Sequence, residues 1–298
     1  MTLFAEYSKY WLEHYKLGTV KPNTYRQTYK DTFRLYLIPT FGMLPLDALT
    51  KHELQAYLNE LGKCYSKSTL CKVRLCVLGM YAAAMDEGLC TANPAQGVKI
   101  KSLVEKQNKR TYTAAEADKL FEYAATHRYG LGICIMLDTG CRCSEMLGLK
   151  WEDVDFHGRC IHIKRASVTV DYKAYVSTPK SASSIRTLPI TDKLLAVLSA
   201  AFVTEKESYI VSRPSGGPYH TVDYLRYRYN PFMEEAVATL NLPRLTSHEL
   251  RHTRGTNLYT KTGDLYAVSQ YLGHSSVDTT ARFYIHNSVE LLRRRLGI

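Results

Sequence analysis

The sequence predicts a mainly α-helical protein with a small antiparallel β-sheet, built as a helical bundle followed by an α+β domain. Apolar and aromatic residues recur at helical spacing through the first hundred residues. Residues 159–190 alternate instead with period two, which is typical of about three short antiparallel strands. A length of 298 residues is enough for about two domains.

Four helices are predicted in the bundle, over residues 3–15, 22–39, 45–61 and 68–87. Pro22 stands where a helix commonly begins, and Gly88 follows the fourth helix as a stop signal. In the third helix Thr50 is the expected N-cap, because Glu53 lies three residues later and completes a capping box.

The bundle ends at a basic stretch with little apolar pattern, residues 97–110, which we interpret as an exposed linker. Thr113 and Glu116 then form a second capping box, which opens the next domain. The predicted organisation is residues 1–97 for the bundle, 98–111 for the linker, 112–286 for the second domain and 287–298 for a C-terminal tail.

Charge favours a polyanionic partner. Lys and Arg number 39 against 28 Asp and Glu, a net charge of +11, which suits nucleic acid or an anionic membrane surface. The sequence contains no apolar run of about 18 residues, so we expect no membrane span. The eight cysteines form no Cys-x-x-Cys pair and have no paired histidines beside them, so we expect free thiols and no metal site.

A first candidate motif follows a glycine break. Arg142 comes directly after Thr139–Gly140, at an expected helix start where backbone N–H groups favour an anion. Glu145 lies one turn later and is placed to orient the guanidinium. The alternative is an ordinary surface Arg–Glu pair.

Further candidates lie downstream. His248 and Arg251 are three residues apart, on one helix face, where a titrating ring beside a permanent cation suits a bound anion. His274 and Tyr284 are separated by about one helix, and Lys180 lies in a turn between strands. The alternatives are a solvated helix face, a packed histidine, a solvated lysine and, among 23 tyrosines, a core tyrosine.

Together, in this order, the motifs resemble those of the tyrosine recombinases, in particular phage and mobile-element integrases. The matching segments are Thr-Gly-Cys-Arg-Cys-Ser-Glu at 139–145, Lys180, His-Glu-Leu-Arg-His-Thr at 248–253, Leu-Gly-His at 272–274 and Thr-Thr-Ala-Arg-Phe-Tyr at 279–284. The match spans about residues 113–298, which resemble the catalytic domain, and the N-terminal bundle looks like the family's SAM-like core-binding domain.

The resemblance implies a role for each matching residue. Tyr284 would attack a DNA phosphodiester and form a 3′-phosphotyrosyl link, while Arg142 and Arg251 hold the non-bridging oxygens. Lys180 would protonate the departing 5′-oxygen, His248 would act as general acid and base, and His274 would donate a hydrogen bond to the phosphate. Glu145 would orient the Arg142 guanidinium without contacting the phosphate itself. This chemistry needs no metal, ATP or other cofactor.

The implied partner is duplex DNA carrying recombination sites, with strand exchange through a Holliday junction in a homotetramer joined by the C-terminal tails. DNA-bending or excision factors are possible accessory partners, no membrane is involved, and the expected location is the cytoplasm of a bacterium carrying the phage or mobile element. Six basic residues are candidate DNA contacts, although charge runs are usually solvated faces: Lys67, Lys72, Arg74, Lys99, Lys101 and Lys109.

Three alternatives stay open. One is a Xer-like resolvase of replicon dimers, and another is a type IB topoisomerase-like enzyme that uses the same tyrosine chemistry without partner exchange. The third is a DNA-binding regulator with a vestigial site, although every motif position holds the expected residue. Many integrases also carry a further N-terminal domain that binds arm sites; this sequence begins almost directly with the core-binding domain.

Overall fold

A computed structural model describes residues 2–105, 110–170, 173–177, 185–274 and 276–284. The chain forms two compact units, Met1–Asn108 and Lys109–Ile298. Mostly helical structure with small antiparallel sheets confirms the predicted fold class.

The described part of the first unit is helical, apart from its turns and connecting segments and one isolated antiparallel bridge between Leu3 and Pro45. Its helices are α1 (Phe4–Trp11), continued by a wider π-type segment Leu12–Lys16; α2 (Pro22–Thr24), continued by Tyr25–Lys30 and Phe33–Leu37; α3 (Ile38–Phe41); α4 (Lys51–Cys64); and α5 (Lys67–Asp86). The second predicted helix therefore continues past Pro39 to Phe41, because proline at the first turn of α3 needs no N–H partner.

The core of the first unit lies around α5. This helix buries Leu70, Val73, Val77 and Met80 on one face, and the fully buried Trp11 packs against it from α1. Helix α5 is long and apolar enough to meet a length-and-composition criterion for a membrane span. Core helices meet the same criterion, and the burial of its apolar stripe inside the unit accounts for its composition.

The start of the expected linker packs onto this unit. Val98 is 6% exposed, and the Lys99 backbone exchanges two hydrogen bonds with the side chain of Gln55. The Leu103 amide donates to the Gly62 carbonyl at 2.8 Å. The segment is therefore basic, as expected, but its first half is held against α4 rather than exposed throughout.

Helices surround the core of the second unit. They are α6 (Ala114–Thr126), α7 (Leu131–Thr139), α8 (Cys143–Met146), α9 (Asp192–Ala201), α10 (Thr221–Tyr224) with its continuation Leu225–Tyr229, α11 (Asn230–Leu240), α12 (Ser247–Thr262), α13 (Leu265–Leu272) and α14 (Val277–Tyr284). Helix α7 is the central one, since residues 132–139 are all buried.

The described strands form two sheets rather than the one sheet of about three strands that the alternation predicts, so that prediction was wrong. Strands β1 (Val154–Asp155), β2 (Cys160–Ile163) and β5 (Arg186–Pro189) make an antiparallel sheet in the order β1-β2-β5. Strands β3 (Ala166–Val170) and β4 (Lys173–Ser177) make a separate hairpin. Both sheets contain strands with period-two alternation, and alternation alone does not reveal which strand pairs with which.

We predict that Gly62→Ala destabilises the first unit by about 1–3 kcal/mol, the usual cost of overpacking. A Cβ at this position would lie 2.3 Å from the Lys101 carbonyl oxygen, which is backbone and cannot rotate away. The measurement is denaturant unfolding followed by circular dichroism. Glu60→Ala, on the exposed surface of α4, is the control and should change stability by less than about 0.5 kcal/mol. Equal stability of the two variants would refute the close approach.

Candidate active site

The site is built around the end of the central helix. Gly140 ends α7 with φ of +61°, a left-handed conformation that glycine adopts without a Cβ penalty. A Cβ there would lie 2.9 Å from Leu272 Cδ2, so the end of α13 packs directly against this turn. The predicted break at Thr139–Gly140 is confirmed.

Arg251 joins these two helix ends. Its side chain is 1% exposed; Nη1 donates to the Gly140 carbonyl at 3.0 Å and Nη2 to the Leu272 carbonyl at 2.6 Å. Both acceptors lie at helix C-termini, where the helix dipole favours a cation. The buried guanidinium thereby fixes the positions of the two short segments that carry Arg142 and His274.

Arg142 precedes α8, as predicted, and is the more accessible arginine, with 37% of its side chain exposed. Its Nη1 donates to Glu145 Oε1 at 2.6 Å, and its backbone N–H donates to Glu145 Oε2 at 2.8 Å. Helix α8 has a single turn, so its N-terminus carries only a small dipole beside the full charge of the guanidinium.

Arg186 is a site residue that the sequence reading missed. It lies on β5, is 8% exposed, and donates from Nη2 to Glu145 Oε2 at 3.0 Å and from Nε to the Tyr271 carbonyl at 2.9 Å. A charged residue in a short antiparallel strand usually lies on the face exposed to solvent. No local pattern identifies Glu145, 41 residues away, as its partner.

Glu145 is the acceptor that holds this network together. The carboxylate is 3% exposed and lies between the guanidiniums of Arg142 and Arg186. Burial alone would raise its pKa, but the attraction of Arg186 and Arg142 prevails and holds the pKa below the ordinary range. Glu145 is therefore ionised at neutral pH, and the surface Arg–Glu alternative does not apply to it.

His274 follows the left-handed Gly273 at the end of α13. Its Nδ1 lies 2.8 Å from Thr280 Oγ1. Burial and the nearby charges of Arg251 and Arg142 lower its pKa to about 4, so the ring is neutral at pH 7. In the neutral tautomer whose Nδ1 accepts a hydrogen bond from the Thr280 hydroxyl, Nε2 carries the hydrogen and can donate a hydrogen bond to a ligand.

The remaining candidates are placed as follows. His248 is exposed on α12, one turn before Arg251, and its ring meets that of His252 edge-on at 4.7 Å between centroids. Tyr284 is the last residue of α14, but its side chain and Lys180 lie outside the described residues.

Two thiols flank Arg142. Cys141 is fully buried and Cys143 is 8% exposed. Burial raises the pKa of Cys141 to about 11 and that of Cys143 to about 12, so both are protonated at neutral pH and act as small apolar side chains.

The basic candidates of the first unit differ in accessibility. Lys67, Lys72, Lys99 and Lys101 are exposed, as a DNA contact requires. Arg74 is half-buried, and its Nε donates to the Ala95 carbonyl at 3.2 Å. This hydrogen bond holds the segment around Ala95 against α5. Lys109 lies outside the described residues.

The sequence matches two family profiles and a known relative. The sequence profile described as the Phage integrase family matches residues 101–290, which is more than half of the chain. The profile described as Phage integrase, N-terminal SAM-like domain, matches residues 3–62. A "Tyrosine recombinase XerC-like" protein of Caldanaerobacter subterraneus subsp. tengcongensis is 28% identical over 323 residues, covering 95% of this chain and 80% of that protein.

Two solved structures share the fold. The integrase of transposon Tn1549, in complex with a circular intermediate DNA, superposes with a TM-score of 0.81 at 19% identity, covering 100% of this chain and 99% of that one. A lambda integrase tetramer bound to a Holliday junction has a TM-score of 0.68 at 19% identity, covering 93% of this chain and 78% of that one.

We predict that Glu145→Gln lowers the free energy of unfolding of the second unit by about 3 kcal/mol, the usual effect of removing one partner of a buried ion pair. Because the folded pKa is depressed, the carboxylate stabilises the protein above its ordinary pKa of 4.5, and this contribution is lost as the pH falls below that value. The difference in stability between wild type and variant should therefore shrink between about pH 5 and pH 3.

Stability is measured by denaturant unfolding across this pH range. Glu122→Gln is the control. That carboxylate is 71% exposed and stands 3.9 Å from the nearest lysine nitrogen, so the ion pair is weak and its loss should have a small effect at every pH. A pH-independent difference for Glu145→Gln would contradict the ionised bridge.

Proposed function

The chain belongs to the phage integrase family and is a site-specific tyrosine recombinase, and we propose from this premise that it integrates and excises a mobile element at specific DNA sites. The observation that carries the proposal is the buried network of Arg251, Arg186 and Glu145, which holds Arg142 and His274 in place on a unit whose last described helix ends at Tyr284. Such an arrangement provides fixed cationic and neutral hydrogen-bond donors for a phosphodiester.

The proposed reaction is a phosphoryl transfer in two balanced steps. The Tyr284 oxygen attacks the phosphorus, and the bond between the phosphorus and the 5′-oxygen breaks. The product is a 3′-phosphotyrosyl link. His248 accepts the tyrosine proton and Lys180 gives a proton to the departing 5′-oxygen. The 5′-hydroxyl of another strand then attacks the phosphorus, gives its proton to Lys180, and displaces Tyr284, which regains its proton from His248. The number of phosphoester bonds is thus conserved and no ATP is consumed.

Charge governs the proposed transition state. Arg142 is accessible and contacts a non-bridging oxygen directly, while the enclosed Arg251 contributes positive charge close by. His274 donates from Nε2 without adding a further positive charge, because its pKa of about 4 keeps it neutral.

Duplex DNA is the proposed partner. The DNA complex of the Tn1549 integrase supports it, as does the net charge of +11. We propose contacts from Lys67, Lys72, Lys99 and Lys101 of the first unit and from Lys109, with Arg74 in a supporting position.

The lambda integrase tetramer on a Holliday junction supports assembly as a homotetramer, with residues 287–298 reaching a neighbouring subunit. We propose that the reaction takes place in the cytoplasm of a bacterium, a location that a bacterial relative and a DNA substrate support.

Resolution of replicon dimers is a second candidate, favoured by the likeness to a XerC-like recombinase. Sequencing the DNA junctions that the protein makes in cells separates the two. Junctions between an element end and chromosomal DNA indicate integration, whereas exchange between two copies of one replicon site indicates resolution.

We predict a covalent protein–DNA adduct on a suicide duplex that carries the recombination site mapped from those junctions. The nick prevents religation, so the 3′-phosphotyrosyl product accumulates and survives denaturing electrophoresis. Tyr284→Phe is the matched control, since it removes only the hydroxyl, and should give no adduct. An adduct from the phenylalanine variant would refute the assignment of Tyr284, and none from wild type on its mapped site would refute the reaction.

We predict that Arg142→Lys binds the same duplex as well as wild type but cleaves it at least about 100-fold more slowly, because lysine lacks the planar fork of donors. Binding is followed by fluorescence anisotropy and cleavage by adduct formation. Arg159→Lys is the control, because that side chain is 61% exposed on the surface and should leave cleavage unchanged. Unimpaired cleavage by Arg142→Lys would exclude its contact with the phosphate.

A further inference from the structure

One face of the three-stranded sheet carries four neighbouring side chains of different chemistry: a carboxylate, a thiol, an imidazole and a hydroxyl. Ile161 and Ile163 of β2 are fully buried, so the alternating residues Cys160 and His162 project from the opposite, half-exposed face. Antiparallel pairing places Asp155 of β1 directly opposite Cys160, and Thr187 of β5 directly opposite His162. Side chains of paired residues lie on the same face.

Three of these side chains converge on a common point. One ligand atom each from Asp155, Cys160 and His162 lies within 4.8 Å of the other two. The Cys160 Sγ and His162 Nε2 atoms are 3.9 Å apart. Two ligands of a tetrahedral zinc ion, at Zn–S of about 2.3 Å and Zn–N of about 2.0–2.1 Å, stand about 3.6 Å apart. A small side-chain adjustment therefore suffices to bind an ion.

The neighbours of these residues orient the donors. His162 Nδ1 is 2.9 Å from Thr187 Oγ1, which leaves Nε2 as the ring atom that faces Cys160. The Gly158 amide donates to Asp155 Oδ1 at 2.7 Å, which holds the carboxylate over the turn that joins β1 to β2. A hydrogen bond to the non-ligating side of each donor is the usual arrangement around metal ligands.

We propose that Asp155, Cys160 and His162 form a binding site for a zinc-type divalent transition metal. A thiolate, an imidazole and a carboxylate suit zinc, whereas magnesium and calcium prefer oxygen donors alone. On binding, the Cys160 thiol releases its proton to solvent, and a water molecule takes the fourth tetrahedral position.

The site has a structural consequence for the second unit. The metal would tie β1 to β2, and His162 is already bonded to Thr187 on β5, next to Arg186. Its binding would therefore stabilise the sheet from which Arg186 reaches Glu145. Sequence spacing does not reveal the site, since the residues have no zinc-motif spacing and are united only by the strand register.

The test is zinc titration of the purified full chain, followed by thermal unfolding. The wild type should bind one zinc ion that Cys160→Ala does not bind. At a zinc concentration about one hundred times the dissociation constant, the melting temperature of the wild type should rise by about 5–10 °C. Cobalt replacing zinc should give a thiolate-to-cobalt absorption band that the Cys160→Ala variant lacks.

Two more variants distinguish the loss of a zinc ligand from misfolding. His162→Asn keeps a polar group near Thr187 but removes Nε2, and Asp155→Asn keeps the acceptor for Gly158 but removes the charge; both should weaken zinc binding at least about tenfold. Cys71→Ala, at an exposed cysteine of the first unit, is the control and should bind zinc as wild type does. Equal zinc binding by wild type, Cys160→Ala and His162→Asn would overturn the proposal.

Discussion

The buried guanidinium of Arg251 is the constraint around which the catalytic unit is organised. Enclosing a cation costs several kcal/mol in lost hydration, and this cost is offset only where the geometry supplies acceptors. Here the Gly140 and Leu272 carbonyls do so, at the C-terminal ends of α7 and α13. Since Arg142 and His274 each lie two residues beyond one of these carbonyls, the interaction that stabilises the fold also sets the positions of the two donors proposed to contact the phosphate.

The buried ion pair between Arg186 and Glu145 completes the arrangement. Arg186 connects β5 with Glu145 and with the Tyr271 carbonyl, which directly precedes the Leu272 carbonyl used by Arg251. The last turn of α13 thus accepts hydrogen bonds from both the sheet and α12. A donor positioned by two independent attachments loses little freedom when a ligand arrives, and this rigidity is what electrostatic preorganisation requires.

The features that sequence predicts well here are local ones. The Thr50–Glu53 and Thr113–Glu116 capping boxes, the Gly140 break and the mainly helical class are confirmed, because each depends on residues a few positions apart. The number of sheets was predicted wrongly, and Arg186 was missed, because strand pairing and a partner 41 residues away depend on the tertiary fold. Arg74 likewise cannot be separated from the exposed lysines until its bond to Ala95 is known.

The protonation of His274 follows from the same constraint. Burial and the charges of Arg251, Arg142 and Arg186 make an additional positive charge unfavourable, which lowers its pKa to about 4. The site therefore combines permanent guanidinium charges with a neutral imidazole instead of adding a further cation to them. A bound phosphodiester would bring a negative charge close to His274, and that charge would raise the pKa of the ring. The ring can then strengthen its hydrogen bond as negative charge develops on the phosphate oxygens, which favours the transition state over the ground state.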